Sequence, residues 1–115
     1  MELNRKHCIA CEGNMEALPN NAEEELLGNV DDWEIDRTEV HKLTKTVETD
    51  SFMDAVRLIK SIAELAESEQ HHPDLHLYYN KLEIVYYTHK VKGLTENDFV
   101  MAAKTDDLLR KKNLD

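Results

Sequence analysis

The hydrophobic period of this chain changes sharply at His71-His72-Pro73. Upstream, Phe52, Val56, Ile59, Ala63 and Ala66 recur at helical spacing, and Ser51 with Asp54 three residues on makes a capping-box-like start. The spacing predicts a helix to about Glu69. Downstream the period is two: Leu75, Leu77 and Tyr79 alternate with His76 and Tyr78, then Leu82, Ile84 and Tyr86 alternate with Glu83, Val85 and Tyr87. Only Asn80-Lys81 separates the two runs. That is short enough for a tight antiparallel hairpin, and Asn accepts the left-handed backbone such a turn requires.

The flanks follow the same pattern. Asn20 or Asn21 can cap a short helix through Glu23, Glu24, Glu25, Leu26 and Leu27, with Gly28 at its end. Trp33 to Thr38 and Glu39 to Thr49 read as two strands, rich in Thr, Val and Ile, although Val40, Leu43 and Val47 keep no clean period of two. After Gly93, Thr95 caps a last helix with Phe99, Ala102, Ala103 and Leu108 or Leu109 on its apolar side. The order helix, strand, strand, helix, strand, strand, helix predicts an α+β domain, a four-stranded antiparallel sheet with helices packed on one face. Residues 21–115 would form that single domain, with residues 1–20 an N-terminal arm of little periodicity. With 115 residues, the chain has room for one core and not for a second domain. Two tyrosines and Val85 on the open parity of the hairpin point to a partner subunit over part of that face.

The 24 acidic against 14 basic residues give a formal charge of -10, a field that repels phosphate backbones and anionic lipid. Direct nucleic-acid and membrane partners are therefore not expected. No apolar run approaches the roughly 18 residues of a membrane span, and the first residues lack the apolar stretch of a signal peptide, so a cytoplasmic location is expected. Cys8 and Cys11 have the spacing of half a zinc site, but no second Cys-x-x-Cys completes it, and two free thiols in the arm are the simpler reading.

With Asn80-Lys81 as the turn, Tyr79 faces Leu82, Leu77 faces Ile84, Leu75 faces Tyr86, and the continued register brings His72 opposite His89. Opposed β carbons lie about 5 Å apart, so two imidazoles can address one small ligand. Pro73 and the strand entry can turn His71 toward the same cleft. Histidine donates and accepts protons near neutral pH, and imidazoles around a cleft suit a reaction that delivers one proton and removes another, which is dehydratase-like chemistry. A metal held by three histidines and an exposed pair at a helix end are the alternatives that spacing leaves open. His7, His41 and His76 read as surface residues.

Taken together, Glu67-Ser-Glu-Gln-His71-His72-Pro73-Asp74, Tyr79-Asn80, Thr88-His89 and Gly93-Leu94-Thr95-Glu96-Asn97-Asp98 resemble the pterin-4a-carbinolamine dehydratase family, over about residues 23 to 110. The Cys-x-x-Cys-x-Gly arm is also similar to that of many microbial and plant members. Lys92-Gly93 departs from a frequent double glycine, and Val47 and Thr49 stand where the family has aromatic residues. The resemblance implies an enzyme that removes water from 4a-hydroxytetrahydropterin to give quinonoid dihydropterin, in recycling of the tetrahydrobiopterin-type cofactor of hydroxylases. It implies His71 and His89 as the acid and base and His72 as a substrate-binding residue. Glu67 would orient an imidazole or meet the pterin amide, and Trp33 would wall the cleft. No metal or other cofactor is implied. Assembly as a homodimer or homotetramer is, and a protein-binding role as a dimerisation cofactor or transcriptional coactivator is the alternative function.

Overall fold

Ser51 and Thr95 set the two long helices of the computed structural model, which describes residues 2–9 and 15–112. The Ser51 side chain accepts the Asp54 N–H to start α2 (Phe52–Glu69), and Thr95 with Asp98 forms a reciprocal capping box at the head of α3 (Glu96–Lys111). A shorter α1 (Asn20–Leu27) has Pro19 rather than an asparagine at its N-cap and ends at Gly28. The strands are β1 (Glu34–Asp36), β2 (Lys42–Glu48), β3 (Asp74–Tyr78) and β4 (Lys81–Tyr86), in the spatial order β1-β2-β4-β3 with every neighbour antiparallel. Both N-terminal strands are shorter than their composition predicts. The Asp36 carboxylate turns back to the Thr38 N–H at 3.0 Å and its hydroxyl at 2.7 Å, which stops β1.

Leu43, Val47, Leu82, Ile84 and Tyr86 of the sheet pack in one cluster with Leu58, Ile62 and Ala66 of α2 and with Phe99, Met101 and Ala102 of α3. The α+β architecture expected from the sequence is the one formed. The buried stripe of α2 is Ala55, Leu58, Ile62 and Ala66: Ala66 is buried as expected, and the other three stand one position before Val56, Ile59 and Ala63. Phe52 is left exposed.

The hairpin register is corrected by two residues. Leu75 pairs with Ile84, Leu77 with Leu82 and Tyr78 with Lys81, so Tyr79-Asn80 is the turn. Asn80 is held to the end of β2, its Nδ2 donating to the Thr49 carbonyl and its carbonyl accepting the Thr49 N–H, both at 2.8 Å. Tyr79 therefore takes the left-handed position, φ 55°, and stands exposed instead of entering the core. A two-residue shift keeps parity, and Leu82, Ile84 and Tyr86 still point inward. Val85, on the other parity, is 6 % exposed within the single chain, so it does not call for a partner subunit.

A buried ion pair lies between β2 and α3. Lys45 Nζ reaches Asp106 Oδ1 at 3.0 Å and the Asp31 carbonyl at 2.7 Å, while Asp106 also accepts the Trp33 indole N–H and the Asp31 N–H, both at 2.9 Å. Every charge there is met by a partner, which is the condition for burying it. His41, read as a surface residue, instead contacts the fully buried Glu23 at 2.8 Å and ties the β1–β2 connection to α1 together with Arg37. No described helix is long and apolar enough to cross a membrane.

The described part of the arm is packed on the domain. Leu3, in a short 3-10 turn, is 1 % exposed and belongs to the core cluster. Further along, the Cys8 N–H donates to Glu69 Oε1 at 2.8 Å, and Ile9 and the Asn97 side chain exchange two hydrogen bonds, Ile9 N–H to Oδ1 at 3.0 Å and Nδ2 to the Ile9 carbonyl at 2.7 Å. Leu18 donates to the Leu94 carbonyl, and Gly93 lies so close to this segment that a Cβ there would meet Ala17 at 2.8 Å. Cys11, the other half of the Cys-x-x-Cys motif, lies outside the described residues.

Two outcomes follow for stability. Asp106→Ala takes the Asp106 carboxylate away from the buried Lys45 ammonium and is expected to cost about 3–5 kcal/mol in urea unfolding, part of it returned by adding Lys45→Met. A neutral Asp106→Ala would show that the pair contributes nothing. At Glu69, burial opposes the charge, but the Cys8 N–H, His7 and Lys104 outweigh it and hold the carboxyl below its ordinary 4.5. A depressed carboxyl contributes stability above its unfolded value and loses it as pH falls through the folded one. The protection of the Cys8 amide, its exchange rate normalised to the intrinsic rate at each pH, should therefore be high near neutral pH and fall as acid protonates Glu69, with Glu69→Gln removing that pH dependence.

Candidate active site

Helix α2 ends at Gln70, whose left-handed backbone, φ 54°, turns the chain so that His71 and His72 face back toward the sheet end. The His71 N–H returns to the Ala66 carbonyl, and its imidazole lies against the Tyr86 ring at 6.4 Å between centroids. Its Nε2 is 2.6 Å from Asp98 Oδ1. Asp98 is fully buried at the head of α3, and its other oxygen accepts the Thr88 hydroxyl at 2.8 Å and the Thr95 N–H at 2.9 Å. An ionised carboxylate only accepts, so Nε2 of His71 carries the proton and Nδ1 is left as the proton-accepting atom.

The second and third histidines are held differently. His72 meets the Glu67 carboxylate one turn back on α2, and both side chains are exposed. His89 sits on the loop between β4 and α3, closed at its base by a two-sided bridge between Thr88 and Gly93. Its ring lies 4.1 Å from that of Tyr87 and is otherwise open to solvent. Extending the β3–β4 offset puts Tyr87, and not His89, level with His72, so the expected His72–His89 opposition is not formed as a strand pair. The loop does the work instead. His71, His72 and His89 all line one cavity of about 310 Å³, with Pro73, Tyr87 and Lys90.

Trp33 is not a wall of this cavity. It is 5 % exposed, donates its N–H to Asp106 and packs 5.8 Å from Tyr86, the residue that backs His71. An indole whose N–H is satisfied by a buried carboxylate has no reason to sit at the surface. Glu67 reaches the site only through His72. Sequence reasoning assigned no role to Asp98, although Thr95-x-x-Asp98 is the spacing of a capping box and so announces a carboxylate at this helix start. Among the described residues, no group of three His, Cys, Asp or Glu side chains is arranged to hold a metal ion.

Known proteins resemble this chain in sequence and in shape. A family profile for pterin 4 alpha carbinolamine dehydratase matches residues 16–108. A Chlorobium luteolum protein named provisionally as a pterin-4-alpha-carbinolamine dehydratase is 40% identical over 111 residues, spanning 96% of this chain and 97% of its own. The mitochondrial pterin-4-alpha-carbinolamine dehydratase 2 of Arabidopsis thaliana is 37% identical over 121 residues, covering 98% of this chain and 65% of its own. The crystal structure of a transcriptional coactivator/pterin dehydratase from Brucella melitensis superimposes with a TM-score of 0.75 at 27% identity, over 81% of this chain and 98% of that one. With the match spanning the helices, the sheet and the histidine cavity, the chain belongs to the pterin 4 alpha carbinolamine dehydratase family.

Proposed function

We propose that the protein removes water from a 4a-hydroxytetrahydropterin to give quinonoid dihydropterin, with His71 and His89 moving the protons. The observation that carries this reading is the convergence of three imidazoles on one cavity, with one of them fixed by a buried carboxylate. The cavity volume, about 310 Å³, is of the size that takes a small flat ring system.

The reaction breaks the C4a–O bond and forms a C4a=N5 double bond. His89 delivers a proton to the departing hydroxyl, the N5 electron pair expels it as water, and His71 takes the N5 proton at Nδ1. Asp98, on the far side of the ring, keeps the proton on Nε2 and stabilises the imidazolium as it forms, the role a buried carboxylate has behind a catalytic histidine. His72, tied to Glu67, binds the substrate. No step needs a Lewis acid. A docking module would need no imidazole held in one tautomer, so the geometry favours the enzyme over a coactivator-like binding role.

The direct test generates the carbinolamine in place with a hydroxylase and follows quinonoid dihydropterin by absorbance. His71→Ala and His89→Ala are each expected to lower turnover by up to roughly 10²-fold, since the uncatalysed dehydration already proceeds, and the double variant should be far worse. A double variant with wild-type turnover would remove both residues from the mechanism. His72→Ala should chiefly raise KM. Asp98→Asn, which keeps an amide oxygen for the Thr88 and Thr95 donors but turns an NH2 toward Nε2 and removes the negative charge behind the imidazole, should lower kcat by roughly 10-fold to 10²-fold at unchanged KM. Dialysis against a chelator should leave activity intact, and a loss restored by zinc would overturn the proton-transfer account.

A further inference from the structure

Of the histidines around the cavity, His71 is held by the Asp98 carboxylate and His72 by that of Glu67. His89 has neither. Its backbone is fixed, since the Thr88–Gly93 bridge closes the loop and the His89 carbonyl accepts the Lys92 N–H at 3.2 Å. Its exposed imidazole has no hydrogen-bond or ion-pair partner among the described residues. The contact it does make is with the Tyr87 ring, 4.1 Å between centroids and tilted by 40°.

Strand alternation explains that contact. Thr88 turns inward, is buried and bonds Asp98, so its neighbours Tyr87 and His89 fall on the same side of the chain, two residues apart. Tyr87 is the better anchored of the two. It is half-buried against the core cluster, and Lys42, one step beyond the Leu43–Tyr86 pair of β2 and β4, holds its Nζ over the ring at 5.1 Å from the centroid. Tyr87 also lines the histidine cavity, level with His72.

We propose that Tyr87 is the positioning residue for His89: its ring selects the imidazole rotamer that reaches the cavity. This rests on the dehydratase reading above, which makes His89 the proton donor to the departing hydroxyl. An unrestrained imidazole on a turn divides itself among the staggered χ1 wells, and only a conformer directed at the hydroxyl can deliver the proton. A carboxylate would restrict the ring by occupying one of its N–H groups. An aromatic neighbour restricts it through the ring plane and leaves both nitrogens open, one for the hydroxyl and the other for the solvent that returns the proton. The phenol oxygen takes no part in this, so the ring alone carries the function.

Two measurements on the full chain test the assignment, the first without any turnover. In NMR spectra of the wild type, the His89 imidazole protons should show NOEs to the Tyr87 ring, and the His89 Hα–Hβ couplings should report a single χ1 well. Tyr87→Phe should keep both features, while Tyr87→Leu, which leaves apolar bulk on the core, should average the couplings. Carbinolamine dehydration reads the consequence. Tyr87→Leu is expected to lower kcat roughly twofold to tenfold at unchanged KM, the change an aromatic pair of this kind corresponds to, and Tyr87→Phe to restore it. In a His89→Ala background Tyr87→Leu should have no further effect. An averaged His89 rotamer without NOEs in the wild type would overturn the proposal. So would a Tyr87→Phe as slow as Tyr87→Leu, a raised KM at unchanged kcat, or an undiminished further loss in the His89→Ala background. A wild type that shows the NOEs and the fixed rotamer yet leaves the carbinolamine unchanged would overturn the dehydratase reading, and with it the positioning of a proton donor.

Discussion

The Asp98 carboxylate is the point on which the rest of this structure turns. One oxygen accepts the Thr95 N–H and the Thr88 hydroxyl, which closes the loop between β4 and α3, and the other holds His71 at the exit of α2. The end of β4, the head of α3 and, 27 residues away, the exit of α2 meet at a group that is fully buried, and an acceptor left unpaired there would cost about 1–3 kcal/mol. The position of the imidazole is therefore set by the same hydrogen bonds that start a helix. His71 therefore cannot loosen without disturbing the start of α3, whereas His72 and His89 stand exposed.

Behind His71 lies a column of aromatic and ionic packing. Tyr86 backs the imidazole, Trp33 backs Tyr86, and the Lys45–Asp106 pair holds Trp33 by its N–H and by a cation over its ring at 5.7 Å. Trp33 thus packs at one remove from His71, through the Tyr86 ring.

Much of this was legible in the sequence, and the misses have identifiable physical causes. The helix caps at Ser51 and Thr95 and the inward parity of Leu82, Ile84 and Tyr86 follow from short-range rules, and they place the histidines at one end of the sheet. Parity cannot separate a register from one two residues away, and the choice was made by Asn80 bonding to Thr49 across the sheet, which no local pattern reports. The inward period of β2 runs Leu43, Lys45, Val47, and a buried lysine hides it from a hydrophobic count. Half of the role of Asp98 was visible as a capping box; the other half needed His71, 27 residues away, to arrive. The arm gave no signal because its polar pairs with Glu69 and Asn97 have no period.

The unequal exposure of the two proton-moving histidines bears on how the catalyst resets. In the proposed reaction each turnover leaves His71 and His89 in one another's starting charge state, although the pair as a whole has neither gained nor lost a proton. His89, open to solvent, equilibrates with bulk water directly. His71, with a side chain only 10% exposed, needs a conduit. It lines both the histidine cavity and the neighbouring cavity walled by His7, Cys8 and Ile9, so solvent that enters either one can recharge it.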